Sequence, residues 1–143
     1  MEDEFPRGLV TVLVAEADGV GRLKAREGAA VAQEALRLVE ETVLRLVEDH
    51  GGRGAAFSAW GWTVAFSSPR QAIGCAVAVQ RAAAWLGRER PTWHLGVRMG
   101  LDIGEAYLED GRLAGEAMEA AGRLAARAAG GQVLATPAVK ELA

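Results

Sequence analysis

The sequence predicts an α+β fold: a ferredoxin-like split βαβ sandwich, with an antiparallel-rich sheet and helices on one face. Three observations carry this. Apolar residues alternate between strand and helix periods in the order β-α-β-β-α-β-(β)-α-β. Glycine, proline or a capping serine stands near most of the boundaries. The chain has 143 residues, 50% hydrophobic and 24% charged, which is one domain's worth of sequence with enough apolar material for a core.

Leu9 to Ala15 is a continuous apolar, β-branched run between Gly8 and Asp18-Gly19 and reads as a buried central strand. From about Gly28 to Asp49, Ala32, Ala35, Leu36, Val39, Val43, Leu46 and Val47 recur at three- and four-residue steps. Glu34, Arg37, Glu41, Arg45 and Glu48 lie on the other side, so the segment is an amphipathic helix stopped by Gly51-Gly52. Gly54 to Ala59 and Trp62 to Phe66 form a tight hairpin about Gly61. Ser67 or Ser68 caps a second helix with Pro69 in its first turn. Its buried face is Ile73, Ala76, Val77, Gln80, Ala83 and Ala84; it ends near Gly87, and Pro91 breaks it.

His94 to Ile103 is the next strand, Gly104 to Tyr107 continues it or opens another, and Asp110-Gly111 is a turn. A third helix runs from about Glu116 to Ala129 and stops at Gly130-Gly131. Gln132 to Ala135 is a short strand, and Pro137 starts a terminal helical turn. No repeat or linker divides the chain. Residues 1–143 read as one domain, either whole or a C-terminally truncated part of a longer protein.

The formal charge of −3 has no block of like charges behind it, and the arginines are scattered, so nucleic acid is not an expected partner. No apolar stretch approaches the roughly 20 residues that span a bilayer, and Met1-Glu2-Asp3-Glu4 has the wrong charge for a secretory signal. The expectation is a cytoplasmic protein with no membrane partner. One cysteine, Cys75, cannot form an internal disulfide, and the histidines, His50 and His94, complete no zinc pattern. The 14 Arg against two Lys, with no Asn, fit a GC-rich source or a thermophile.

Three stretches together resemble the class III nucleotidyl cyclase (adenylate/guanylate cyclase) catalytic domain. Val10 to Gly19 stands where that family has an apolar strand ending in a metal-binding Asp and followed by a turn Gly. His50-Gly51-Gly52-Arg53, running to Phe66, is similar to the family's HGGR…GDG…F hairpin. The most specific stretch is Val97-Arg98-Met99-Gly100-Leu101-Asp102-Ile103-Gly104-Glu105-Ala106, continuing through Gly115 and Arg123-Leu124 to Gly130-Gly131-Gln132-Val133-Leu134. It is close to VRIGLHTGEA…G…VN…ARL…GGQVL, and the likeness covers about residues 8 to 142 in order.

The resemblance implies a two-metal attack of a ribose 3′-hydroxyl on the α-phosphate, with an Asn and an Arg from the partner subunit orienting the ribose and neutralising charge. Base selection in the family uses a Lys and a second residue, commonly Asp. Carried over position by position, the first metal carboxylate falls at Glu16 and the second at Trp60, whose indole has only an N–H donor. The base-reading Lys falls at Ala56 and its companion near Arg112. The ribose-orienting Asn falls at Glu119, and the phosphate-facing arginine survives as Arg123.

Each lost oxyanion-type contact is worth about 10²–10³ in rate. The resemblance with these replacements therefore implies a degenerate member, a pseudo-cyclase without turnover, metal or cofactor. The expected role is a dimerisation or regulatory interaction module in signalling, as a homodimer or with a protein partner. Trp60 and Trp62 are its candidate interface residues, because Trp is enriched at binding hot spots. A nucleotide or small-anion sensor is one alternative. A residual or heterodimer-partner adenylate/guanylate cyclase is the other.

Each candidate also has a plain structural reading. The two Trp rings pack on one face of the sheet, and Glu16 and Asp18 are an acidic strand end beside a turn rather than a Mg²⁺ site. Arg123 and Arg127, at i, i+4, pair with Glu119 or Glu116 rather than with an anion. Cys75 is a packed helix residue, and His50 caps a helix end.

Overall fold

Strand β1 (Leu9–Asp18) runs through the middle of the sheet in a computed structural model that describes residues 8–57 and 61–142. It is hydrogen-bonded on both sides, antiparallel to β3 (Gly61–Phe66) and to β4 (Gly96–Glu105), and its apolar run is buried on both faces because helices cover each face of the sheet. The five-stranded order is β2-β3-β1-β4-β7, with β2 (Arg53–Phe57) on one edge and β7 (Val133–Ala135) on the other. Three pairings are antiparallel and β4–β7 is parallel, so the sheet is mixed and antiparallel-rich, as its sequence predicts.

Two long helices, α2 (Ala29–Asp49) and α3 (Pro69–Glu89), cover one face and complete the split βαβ unit. The predicted stripe on α2 is the stripe observed: Ala32, Ala35, Val39, Val43 and Val47 are buried, with Leu36 and Leu46 at its margin. Ser68 caps α3 by accepting a hydrogen bond from the Gln71 N–H. The core face of α3 is Ala72, Cys75, Ala76 and Val79, a correction to the predicted face, since Val77 is 42% exposed and Ala84 is also exposed. Ala-rich sequence on every side of this helix leaves its phase open, and packing on the sheet selects the stripe. Gln80 lies at the margin, donating to the Val97 carbonyl at 2.7 Å.

An eight-residue helix, α1 (Val20–Glu27), occupies the stretch between Gly19 and Gly28, for which the sequence predicts no element. Half of its residues are charged, and only Val20 and Leu23 are buried, too few to create a helical period. Leu23 packs with Ala35 and Trp93, and Arg26 donates to the carbonyls of Thr92 and Trp93. His94, expected in a strand, precedes β4 in the left-handed region at φ 52°. The segment after β4 is a separate hairpin, β5 (Tyr107–Glu109) and β6 (Arg112–Ala114). Asp110 and Gly111 turn it with φ of 53° and 79°, the positive values a type I′ turn needs.

Helix α4 (Glu116–Arg127) lies on the face of the sheet opposite α2 and α3, over β1 and β4. Ala117, Ala121 and Ala125, four residues apart, meet Val10, Val12 and Val14. The approach is close because β4 carries Gly100 beneath the helix: a Cβ there would sit 2.1 Å from the Ala121 carbonyl oxygen. A terminal helix, α5 (Pro137–Leu142), buries Val139 on the α2/α3 face.

His50 ends α2 with Nδ1 2.8 Å from the Leu46 carbonyl oxygen, in keeping with its reading as a cap. Cys75 is fully buried, and burial pushes its thiol up from 9.0 to about 11. Folded protein at pH 8.5 is therefore expected to resist iodoacetamide, and protein unfolded in urea to be alkylated; rapid labelling of the folded chain would contradict this burial. The fold keeps the thiol neutral to a higher pH than the unfolded chain does. This contribution to stability is complete below about pH 9 and declines as the pH rises towards 11.

Candidate functional site

Side chains at alternate positions of β1 face α4, and the apolar series Val10, Val12, Val14 ends in Glu16 and Asp18 on the same face. The register sets Glu16 between Gly61 of β3 and Arg98 of β4. Glu16 Oε1 accepts from Arg98 Nε at 3.0 Å, with both side chains about one-third exposed. Asp18 pairs with Arg22 of α1 at 3.4 Å across Gly19, whose φ of 98° starts that helix. The acidic strand end is thus held by two arginines.

Arg98 received no role from sequence, although it lies within the quoted motif. Its partner is 82 residues away, and only antiparallel register brings the two together. No three of the described His, Cys, Asp or Glu side chains converge to hold a metal ion.

On α4 the alanine stripe faces the sheet, which leaves Glu119 and Arg123 exposed. Glu116 and Glu119 occupy the first turn, where negative charge suits the helix dipole. Arg123 forms no ion pair among the described residues, which corrects its expected pairing with Glu119 or Glu116. Arg112 is exposed on β6, and the backbone of Ala56 pairs with Thr63 on the edge of the sheet. Among the described residues no hydrogen bond or ion pair joins Glu119, Arg123 or Arg112 to Glu16. A groove of about 470 Å³ opens where β4 and β5 meet the start of α4, and its walls carry Asp102, Glu105 and Glu116. Asp102 accepts a 2.7 Å hydrogen bond from the Thr136 hydroxyl.

Trp60 lies outside the described residues. Trp62 is 2% exposed and packs between sheet and helices with Val64, Phe66 and the α2 stripe. A side chain buried within its own domain offers no surface to a partner, so the interface expectation for Trp62 is corrected to a core role.

No family model matches the chain. A protein of Rhizobium meliloti (strain 1021) bearing the name Putative adenylate cyclase 3 is 30% identical over 141 residues, 98% of this chain and 24% of that protein. The chain thus spans about a quarter of the length of this curated relative. The structure of adenylate/guanylate cyclase/hydrolase from Silicibacter pomeroyi superposes with a TM-score of 0.78 at 26% identity, covering 96% of this chain and 80% of that one. This chain is a class III cyclase-like domain. The adenylyl cyclase CyaB from P. aeruginosa shares the fold, with a TM-score of 0.82 at 19% identity over 98% of this chain and 82% of that one. In the cyclase-like domain, Glu16, Arg98, Glu119 and Arg123 come from the two elements, sheet and α4, that share one face. No helix among its described residues is long and apolar enough to cross a membrane.

Proposed function

We propose that this cyclase-like domain is non-catalytic and works as a dimerisation or regulatory interaction module. The observation that carries this reading is the donor set at the strand end. Glu16 is engaged by Arg98 across the sheet, and the position matching the second metal carboxylate is a tryptophan. One carboxylate and one indole do not fit a pair of metal ions, because an indole offers no lone pair to a cation.

The surrounding charge supports the same reading. Glu119 stands where the family's pattern has an amide, an unfavourable replacement beside a triphosphate, and the groove at the start of the same helix carries three further carboxylates. Apolar side chains available to a partner are also present. Leu9 is 65% exposed, and Tyr107 and Leu108 of β5 are exposed as well. Trp60 remains the interface candidate of the hairpin.

The name of the Rhizobium relative favours a second reading, in which the domain retains or supports cyclase activity. One pair of experiments separates the two. Purified protein with ATP or GTP and Mg²⁺ or Mn²⁺ is expected to form no cyclic nucleotide above the blank, while sedimentation at high micromolar concentration shows a dimer. Product that disappears in Glu16→Ala would establish the second reading, and a strict monomer would remove the dimerisation role.

A further inference from the structure

On the face of the sheet opposite α4, a groove of about 370 Å³ lies between α2 and α3. It exists because α3 presents Ala82 and Ala83 where larger side chains would close the gap, leaving a floor of Val43, Val79 and Val97. Its size is at the lower end of small-molecule pockets, which run to about 300–1,000 Å³ and pair apolar walls with a few charged groups. The rim holds Trp85, 56% exposed, together with Arg45, Arg90 and Glu89. Among the described residues neither arginine makes an ion pair, and Arg90 rests over the Trp93 ring at 5.3 Å. The rim therefore has a net positive charge above an apolar slot.

We infer that this groove binds a free single-chain carboxylate of about ten carbons. Its alkyl body would lie along the valine floor and its head between Arg45 and Arg90. At about 30 Å³ per non-hydrogen atom, the share of one water molecule in the liquid, the cavity holds about twelve atoms, the size of decanoate. The apolar floor requires an alkyl chain, since it gives water no polar partners. The two arginines require a negative head, and Glu89 sets itself against a second negative charge. Nothing in this site depends on the α4 face, so its failure or success is independent of the non-catalytic reading.

Calorimetric titration of the whole chain with decanoate at pH 7.5 is the test. Saturable one-to-one binding is expected, with hexanoate at least tenfold weaker because four buried methylenes are lost. Arg45→Glu and Arg90→Glu, both on the exposed rim, are each expected to weaken decanoate about fivefold or more. Ala82→Phe, which fills the slot, should abolish binding with the circular dichroism spectrum retained. The inference is overturned if decanoate does not saturate, if decyltrimethylammonium binds as tightly, or if both charge reversals leave the affinity unchanged. The charge reversals decide the matter even if Ala82→Phe fails to fold.

Discussion

Gly100→Ala is expected to destabilise the domain by about 3 kcal/mol or more, at the upper end of overpacking costs. The added methyl would sit 2.1 Å from the Ala121 carbonyl oxygen and 2.6 Å from the Ala125 nitrogen. Both atoms are helix backbone, so no rotamer change can relieve the clash and α4 as a whole must lift from β4. For a chain of this size the melting temperature should fall by about 10 °C. Gly122→Ala in the same helix is the control. A Cβ there meets nothing within 4 Å, and removing glycine from a helix interior should raise stability by about 0.5–1 kcal/mol. Equal melting temperatures for wild type and Gly100→Ala would mean that α4 is not seated on the sheet.

Trp62→Ala should cost about 3–5 kcal/mol, the range for a large aromatic removed from a core. The ring is part of the core between the sheet and helices α2 and α3, and its loss leaves a cavity there. Urea unfolding would give the size of the loss. Sedimentation of the folded fraction should give the same association constant as wild type, because the ring is not on the surface. A variant with unchanged stability but lost self-association would return Trp62 to an interface role.

The two tryptophans of the hairpin show where sequence reading reaches its limit. Alternation along a strand says that residues two apart share a face, but it does not say which face is the interior of the domain. Trp62 faces α2 and α3 because β3 pairs with β1 in a register that sets Ala15 opposite Trp62 and Glu16 opposite Gly61. The same register, continued across β1 to β4, joins Glu16 to Arg98. No local pattern could announce that ion pair, since each residue is unremarkable within its own strand. Helix α1 is invisible in the sequence for a related reason: it buries only two apolar residues, and its place depends on Trp93, which arrives from far along the chain.

What the sequence determined by itself is the order of the elements, the split βαβ sandwich, the central position of β1 and the stripe on α2. Hydrophobic periodicity and turn chemistry are local and survive being read along a line. The residues at the family's site positions are likewise legible there, including a tryptophan where the pattern has a metal-binding aspartate. Only the tertiary structure decided which face α4 covers, which arginine holds Glu16, and that Ala82 and Ala83 leave a groove above Val97. Those features depend on register and on the volume left between packed helices, both set by side chains distant in sequence. Gly100 belongs to both accounts: it is visible as a letter in a motif, and its necessity is measured by the 2.1 Å to the helix above it.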